Sequence, residues 1–222
     1  MNRVLRVAHL YPQQLNLYGD RGNVIALADR LRRRGDRLCV EELGPGQRFS
    51  PEKVDLVFIG GGQDREQAWI VNDLLETKAD GLRAAVAAGM PLLAVCGGYQ
   101  LLGAYYETAR GIRLPGIGVF DLYTIAGQTR LIGDAVIECS LWHRGVRTIV
   151  GFENHSGRTV VGPEARPLGR VLRGYGNNGE DGTEGVVQEH AIGTYLHGSL
   201  LPKNPRLGDW LIQQAWNRRY GT

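Results

Sequence analysis

Apolar residues in the first half of the chain fall into short continuous runs, with helically spaced positions between them. Val4 to Leu10 (VLRVAHL), the segment RLCVEEL, Val54 to Gly60 (VDLVFIG) and Leu92 to Val95 read as strands. VDLVFIG is a continuous apolar run of the kind buried on both faces of a sheet. Val24, Leu27, Ala28 and Leu31 recur at helical spacing, and Gly35 closes that helix. Ala68, Val71, Leu74 and Leu75 begin a second helical pattern, and Leu82, Ala85 and Val86 a further one that ends at Gly89 and Pro91. Strands alternating with helices predict an α/β fold built on a mostly parallel sheet.

From Leu114 the texture changes to short strand-like runs separated by glycines: PGIGVFDLYTIAG, DAVIECSLW, RTIVGFENHSG and RVLRG. The chain closes with VVQEHAIGTYLHGSLL, read as a strand ending at His197, and a helix around Asp209 to Arg219 with Trp210, Leu211, Ala215 and Trp216 on its apolar face. No Pro/Ser-rich or charged linker divides the halves. The expectation is one domain over 1–222, with the additional short strands of the C-terminal half extending the core or covering one edge.

Chemistry concentrates in PLLAVCGGYQLLG, Pro91 to Gly103. A short buried strand runs into Cys96, and Gly97 and Gly98 let the backbone turn at once into a helix, which is the build of a nucleophile elbow. The N–H groups and positive dipole end of that helix favour a thiolate. Ligands of an open parallel sheet bind beyond the carboxyl ends of its strands, where Gly60 to Gly62, Cys96 with Gly97, and His197 are all expected. A thiol, an imidazole and backbone N–H donors are the parts of cysteine acyl transfer, with the N–H groups of Gly97 and Gly62 as oxyanion-hole candidates. His9, His143, His155 and His190 each read as structural or solvated; His197 differs by standing at a strand end before Gly198.

Composition narrows the rest. The net charge of +3 on 222 residues is small, and the one dense basic cluster, RLRRRGDR, sits at a predicted helix C-terminus where arginines complement the dipole, so nucleic-acid binding has little support. Cys39, Cys96 and Cys139 are widely separated and form no CxxC pair, which indicates neither a disulfide framework nor a zinc or other metal site. Cys39 and Cys139 lie within strand-like runs and read as packing residues. Gly174, Gly176 and Gly179 spell GxGxxG, but no amphipathic helix follows, so the stretch reads as a loop; there is no GxxxxGK[ST] for ATP either, and no cofactor is expected. The amino terminus lacks a signal-peptide pattern and no apolar run is long enough to span a bilayer, so the expected location is cytosolic.

In combination GGGQD, AVCGGYQLLG, GFENHSGRT and GTYLHG resemble the triad-type (class I) glutamine amidotransferases of the cobyric acid synthase-like branch. LNLYGDRGN (Leu15 to Asn23), TRLIGD (Thr129 to Asp134) and GYGNNGEDGTEG (Gly174 to Gly185) are similar to the glutaminase subunits of lipid II isoglutaminyl synthases. The resemblance runs over nearly the whole chain. It implies a flavodoxin-like α/β glutaminase in which Cys96 is nucleophile, His197 general base and Arg130 a binder of L-glutamine, a planar guanidinium suiting the substrate α-carboxylate. It also implies an ATP-dependent, Mur-ligase-related (MurT-like) partner in a heterodimer that amidates D-glutamate of the lipid II stem peptide. A corrinoid carboxylate is the runner-up acceptor, and a catalytically idle docking subunit the reading of another class. The glutamate usual two positions after the histidine is here Ser199. Either a dyad of Cys96 and His197 suffices, or the orienting carboxylate comes from elsewhere: from Glu153 or Glu189, though a surface role suits each of these two, or, as the resemblance implies, from the partner.

Overall fold

The computed structural model describes residues 3–142 and 145–221. His143 lies outside them. The first sheet is built from β1 (Val4–Leu10), β2 (Arg37–Leu43), β3 (Leu56–Ile59), β4 (Leu92–Val95), β11 (Val186–Gln188) and β12 (Ala191–Thr194). Its order is β11-β12-β4-β3-β1-β2, parallel throughout except for the antiparallel edge strand β11. The β2-β1-β3-β4 run is the flavodoxin-like order, with β12 supplying the next parallel strand. Every residue of β3, β4 and β12 is buried, as continuous apolar runs require.

The helices are α1 (Gly22–Arg33), α2 (Asp64–Asp73), α3 (Ala79–Ala87), α4 (Gly97–Leu101), α5 (Leu200–Lys203) and α6 (Pro205–Tyr220). α1 buries Val24, Leu27 and Leu31, the spacing that predicts it. A wider turn over Leu74–Lys78 joins α2 to α3. The buried Lys78 ammonium there is held 2.7 Å from Asp73 Oδ2, which also accepts the Tyr11 hydroxyl at 2.7 Å. Cys139 is buried as expected, but Cys39 is exposed. β2 is an edge strand whose only buried residue is Leu43, so residues that would pack in a central strand face solvent here.

The C-terminal half forms a second sheet of order β10-β9-β7-β5-β6, with β8 paired to β7. Its members are β5 (Tyr105–Glu107), β6 (Arg113–Pro115), β7 (Leu122–Cys139), β8 (Arg147–Val161), β9 (Gly169–Arg173) and β10 (Thr183–Glu184). The short strands expected here are thus dominated by two long ones. LYTIAG and DAVIEC belong to a single strand of 18 residues, interrupted by a register shift between Ala126 and Leu131 that leaves Arg130 on an irregular segment.

The predicted strand through His197 also ends early. VVQ and AIGT are antiparallel strands joined at Glu189 and His190, and β12 stops at Thr194. There Thr194 Oγ1 accepts the Leu196 N–H (3.0 Å) and buried Glu184 Oε1 accepts the Tyr195 N–H (2.6 Å), drawing the chain away from the ladder. His197 instead donates its backbone N–H to Phe152 O of β8 (2.7 Å), tying the two sheets together beside the carboxyl ends of β4 and β12.

Candidate active site

The parallel strands β1, β3, β4 and β12 run out to one end of the first sheet, and the segments that follow them meet there. β4 ends at Cys96, which adopts φ 48° and ψ −106°, a left-handed conformation costly for any residue with a Cβ. The turn is pinned on both sides: the Cys96 N–H donates to Thr194 O (2.9 Å), the Gly98 N–H to Gly60 O (3.1 Å) and the Gln100 N–H to Cys96 O (2.9 Å). A Cβ at Gly97 would stand 2.8 Å from Gly62 N, so these two glycines, the predicted oxyanion donors, are neighbours, and glycine is what lets them approach. No hydrogen bond among the described residues engages either N–H.

His197 and the segment after β1 close over the thiol. Asp20 is wholly buried; its Oδ2 accepts the Gly61 N–H at 2.8 Å, and its Oδ1 stands 3.6 Å from His197 Nδ1. The three side chains meet above Gly61, where a Cβ would lie 3.0 Å from His197 Cε1, 3.1 Å from Asp20 Oδ2 and 3.1 Å from Cys96 Cβ. Burial works against a charged imidazole, but Cys96 and Asp20 more than reverse that and raise the His197 pKa to about 10. Tyr18 presents its ring edge-on to His197 at 5.0 Å between centroids.

Asp20 lies in LNLYGDRGN but is not among the residues that the sequence singles out. The whole segment is folded around its position. The Leu17 N–H donates to Gly61 O (3.0 Å), Asn16 Oδ1 accepts the Arg21 N–H (2.9 Å), and Ser199 Oγ donates to Gly19 O (2.8 Å). Gly22 leaves room for the Ser199 side chain, which a Cβ there would strike. The position where a glutamate was sought is therefore a small residue packed under the segment that carries the aspartate. A polar acidic residue between glycines, just past the first strand of a parallel sheet, was the available signal.

Neither other candidate carboxylate reaches the imidazole. Glu153 is buried rather than surface-exposed, and its oxygens accept the N–H groups of Tyr175 (2.6 Å) and Gly176 (2.9 Å). The discarded GxGxxG stretch is indeed a loop, and two of its amides cradle an internal carboxylate rather than a phosphate. Glu189 is exposed in the turn before β12, at the opposite end of the sheet from Cys96. His9, with its pKa lowered to about 4 by burial, sits in packed interior; His155, buried and stacked on Tyr195 at 3.5 Å, lines the Cys96 cleft; His190 bonds Gly89 O.

Arg130 reaches the same cleft as Cys96, a hollow of about 440 Å³ between the two sheets. Its Nε donates to Asn154 Oδ1 (2.8 Å) and one Nη to Asn154 O (2.9 Å), which holds the guanidinium by one edge and leaves the other free for a carboxylate. Asn154 in turn donates to the Tyr18 hydroxyl at 2.5 Å. Among the described residues no cluster of side chains suits a metal ion, and no helix is long and apolar enough to cross a membrane.

This fold is that of the class I glutamine amidotransferases. Over 98% of this chain and 99% of the other it superposes on a chain of PurLQS from Thermotoga maritima with a TM-score of 0.66 at 13% identity, a likeness of fold. The chain belongs to the CobB/CobQ-like glutamine amidotransferase domain family, whose model matches residues 6–205. It is 44% identical to the lipid II isoglutaminyl synthase (glutamine-hydrolyzing) subunit GatD of Staphylococcus aureus, over 97% of this chain and 86% of that protein. Identity to the subunit of the same name from Streptococcus pneumoniae is 39%, over 98% of this chain and 82% of the relative.

Proposed function

We propose that this chain is the glutaminase subunit of a lipid II isoglutaminyl synthase, and that residues 1–222 form one amidotransferase domain for which both sheets are needed. The convergence of Cys96, His197 and Asp20 above Gly61 carries this reading. Asp20 orients the imidazole through Nδ1, leaving Nε2 to exchange a proton with the thiol. The Cys96 sulfur attacks the side-chain amide carbon of L-glutamine, and the N–H groups of Gly62 and Gly97 receive the charge that develops on oxygen. Arg130 holds the substrate α-carboxylate. The C–N bond breaks as His197 gives its proton to the departing ammonia, which leaves a glutamyl thioester on Cys96. Water then attacks the thioester with its proton passing to His197, the thiolate is expelled, and glutamate is released.

Ammonia passes to an ATP-dependent, Mur-ligase-related (MurT-like) partner in a cytoplasmic heterodimer, which activates the D-glutamate carboxylate of the lipid II stem peptide. The match to both GatD subunits along nearly the full chain supports this acceptor. The test is to quench the purified chain during turnover with glutamine, alone and with the partner, and to map adducts by peptide mass spectrometry. A glutamyl adduct on Cys96 is expected together with released ammonia; ammonia release that survives Cys96→Ala contradicts the reading.

A further inference from the structure

Free glutamine carries two opposite charges on its α-carbon, and Arg130 answers only one of them. Taking an ammonium out of water without a counter-charge is costly, so a cleft that selects the free amino acid needs an anion placed apart from the guanidinium. Among the described residues lining the cleft, Asp64 is the one carboxylate. It opens α2 directly after the Gly60–Gly62 turn, so the same backbone that presents the oxyanion donors positions it.

Its geometry suits a waiting counter-ion. Oδ1 accepts the hydroxyl of Tyr106 at 2.8 Å, and Tyr106 is 1% exposed, so this anchor is fixed by packing. Among the described residues, no hydrogen bond or ion pair engages Oδ2. Asp64 and Arg130 share the cleft yet form no ion pair with each other, and an unneutralised pair of opposite charges beside a nucleophile is complementary to an amino-acid zwitterion. Tyr106 lies on β5 of the second sheet and Asp64 on α2, so the arrangement depends on the tertiary fold and not on a local helix cap.

We infer that Asp64 binds the α-ammonium of glutamine and makes the cleft selective for the free amino acid. This rests on the glutaminase reading above. The discriminating substrate is glutaramate, which is glutamine without its α-amino group. Ammonia release is measured as kcat/KM for both compounds with the full chain in its complex, for the native chain, Asp64→Asn, Asp64→Glu and Tyr106→Phe. The native chain should prefer glutamine by at least about tenfold, since a hydrogen bond to a charged group is made to one compound only. Asp64→Asn should lose that preference through a higher KM for glutamine while its use of glutaramate stays within about twofold; Asp64→Glu should recover part of it, and Tyr106→Phe should cost about threefold. Equal losses for both compounds, or an unchanged preference, overturn the inference and leave the glutaminase reading standing. No ammonia from glutamine with the native chain overturns the glutaminase reading and the inference with it.

Discussion

Cys96, His197 and Asp20 are almost completely shut away from solvent, whereas Arg130 and Asp64, in the same cleft, are exposed. The groups proposed to react hang on the ends of fully buried parallel strands and on a segment bound to them through Gly61. The groups proposed to recognise substrate sit on an irregular stretch of β7 and on the first turn of α2. The proposed chemistry thus rests on packing that cannot relax without loss of the core, and the proposed recognition on side chains each held through one neighbour, Asn154 or Tyr106. Damage to the first group should fall on kcat and damage to the second on KM.

The largest effect is expected from Cys96→Ala, which should abolish ammonia release while leaving the melting temperature close to native. Survival of turnover would move the chemistry to another residue. Gly61→Ala comes next. Its methyl group must displace His197, Asp20 and Cys96 together by a few tenths of an ångström, so kcat should fall by about tenfold or more with the fold retained. An unchanged kcat would mean that the three side chains do not meet where the geometry places them.

On the recognition side, Arg130→Lys keeps the charge but loses the planar fork, and KM for glutamine should rise by about tenfold with kcat little altered. A change confined to kcat would take Arg130 out of recognition and collapse the contrast between the two groups. The smallest effect is expected from Glu184→Gln, behind the site. Burial raises the Glu184 pKa to about 8, above an unfolded value near 4.5, so the native state binds the extra proton and stability falls as pH rises from about 4.5 to 8. The substitution should flatten that decline and raise the melting temperature at pH 8.5 by a few degrees. A decline of unchanged steepness would place its source elsewhere.

The contrast also explains what could be read from sequence. Cys96 and its glycines form a local pattern, and His197 follows the last parallel strand closely enough to be singled out although the strand stops at Thr194. Asp20 was hidden because its importance lies in contacts to Gly61 and in the space that Gly22 leaves for Ser199, none adjacent in a way that periodicity detects. Glu153 looked like a surface residue because its partners, the amides of Tyr175 and Gly176, belong to a loop over twenty residues away. The length of β7 was obscured by the polar, glycine-containing interruption at Gly127–Arg130, which breaks the apolar run but not the strand.

The central claim is that an internal carboxylate, Asp20, completes the catalytic arrangement, and Asp20→Asn tests it most directly. The measurement is kcat and kcat/KM for ammonia release as a function of pH, alongside glutamine affinity in a Cys96→Ala background. The account predicts a fall in kcat of about 10²- to 10⁴-fold with affinity little changed. Removing a charge that helps hold the imidazolium proton should also move the high-pH limb of kcat/KM to lower pH than in the native protein. A kcat within about twofold of native, with the limb unmoved, would show that Asp20 does not orient His197.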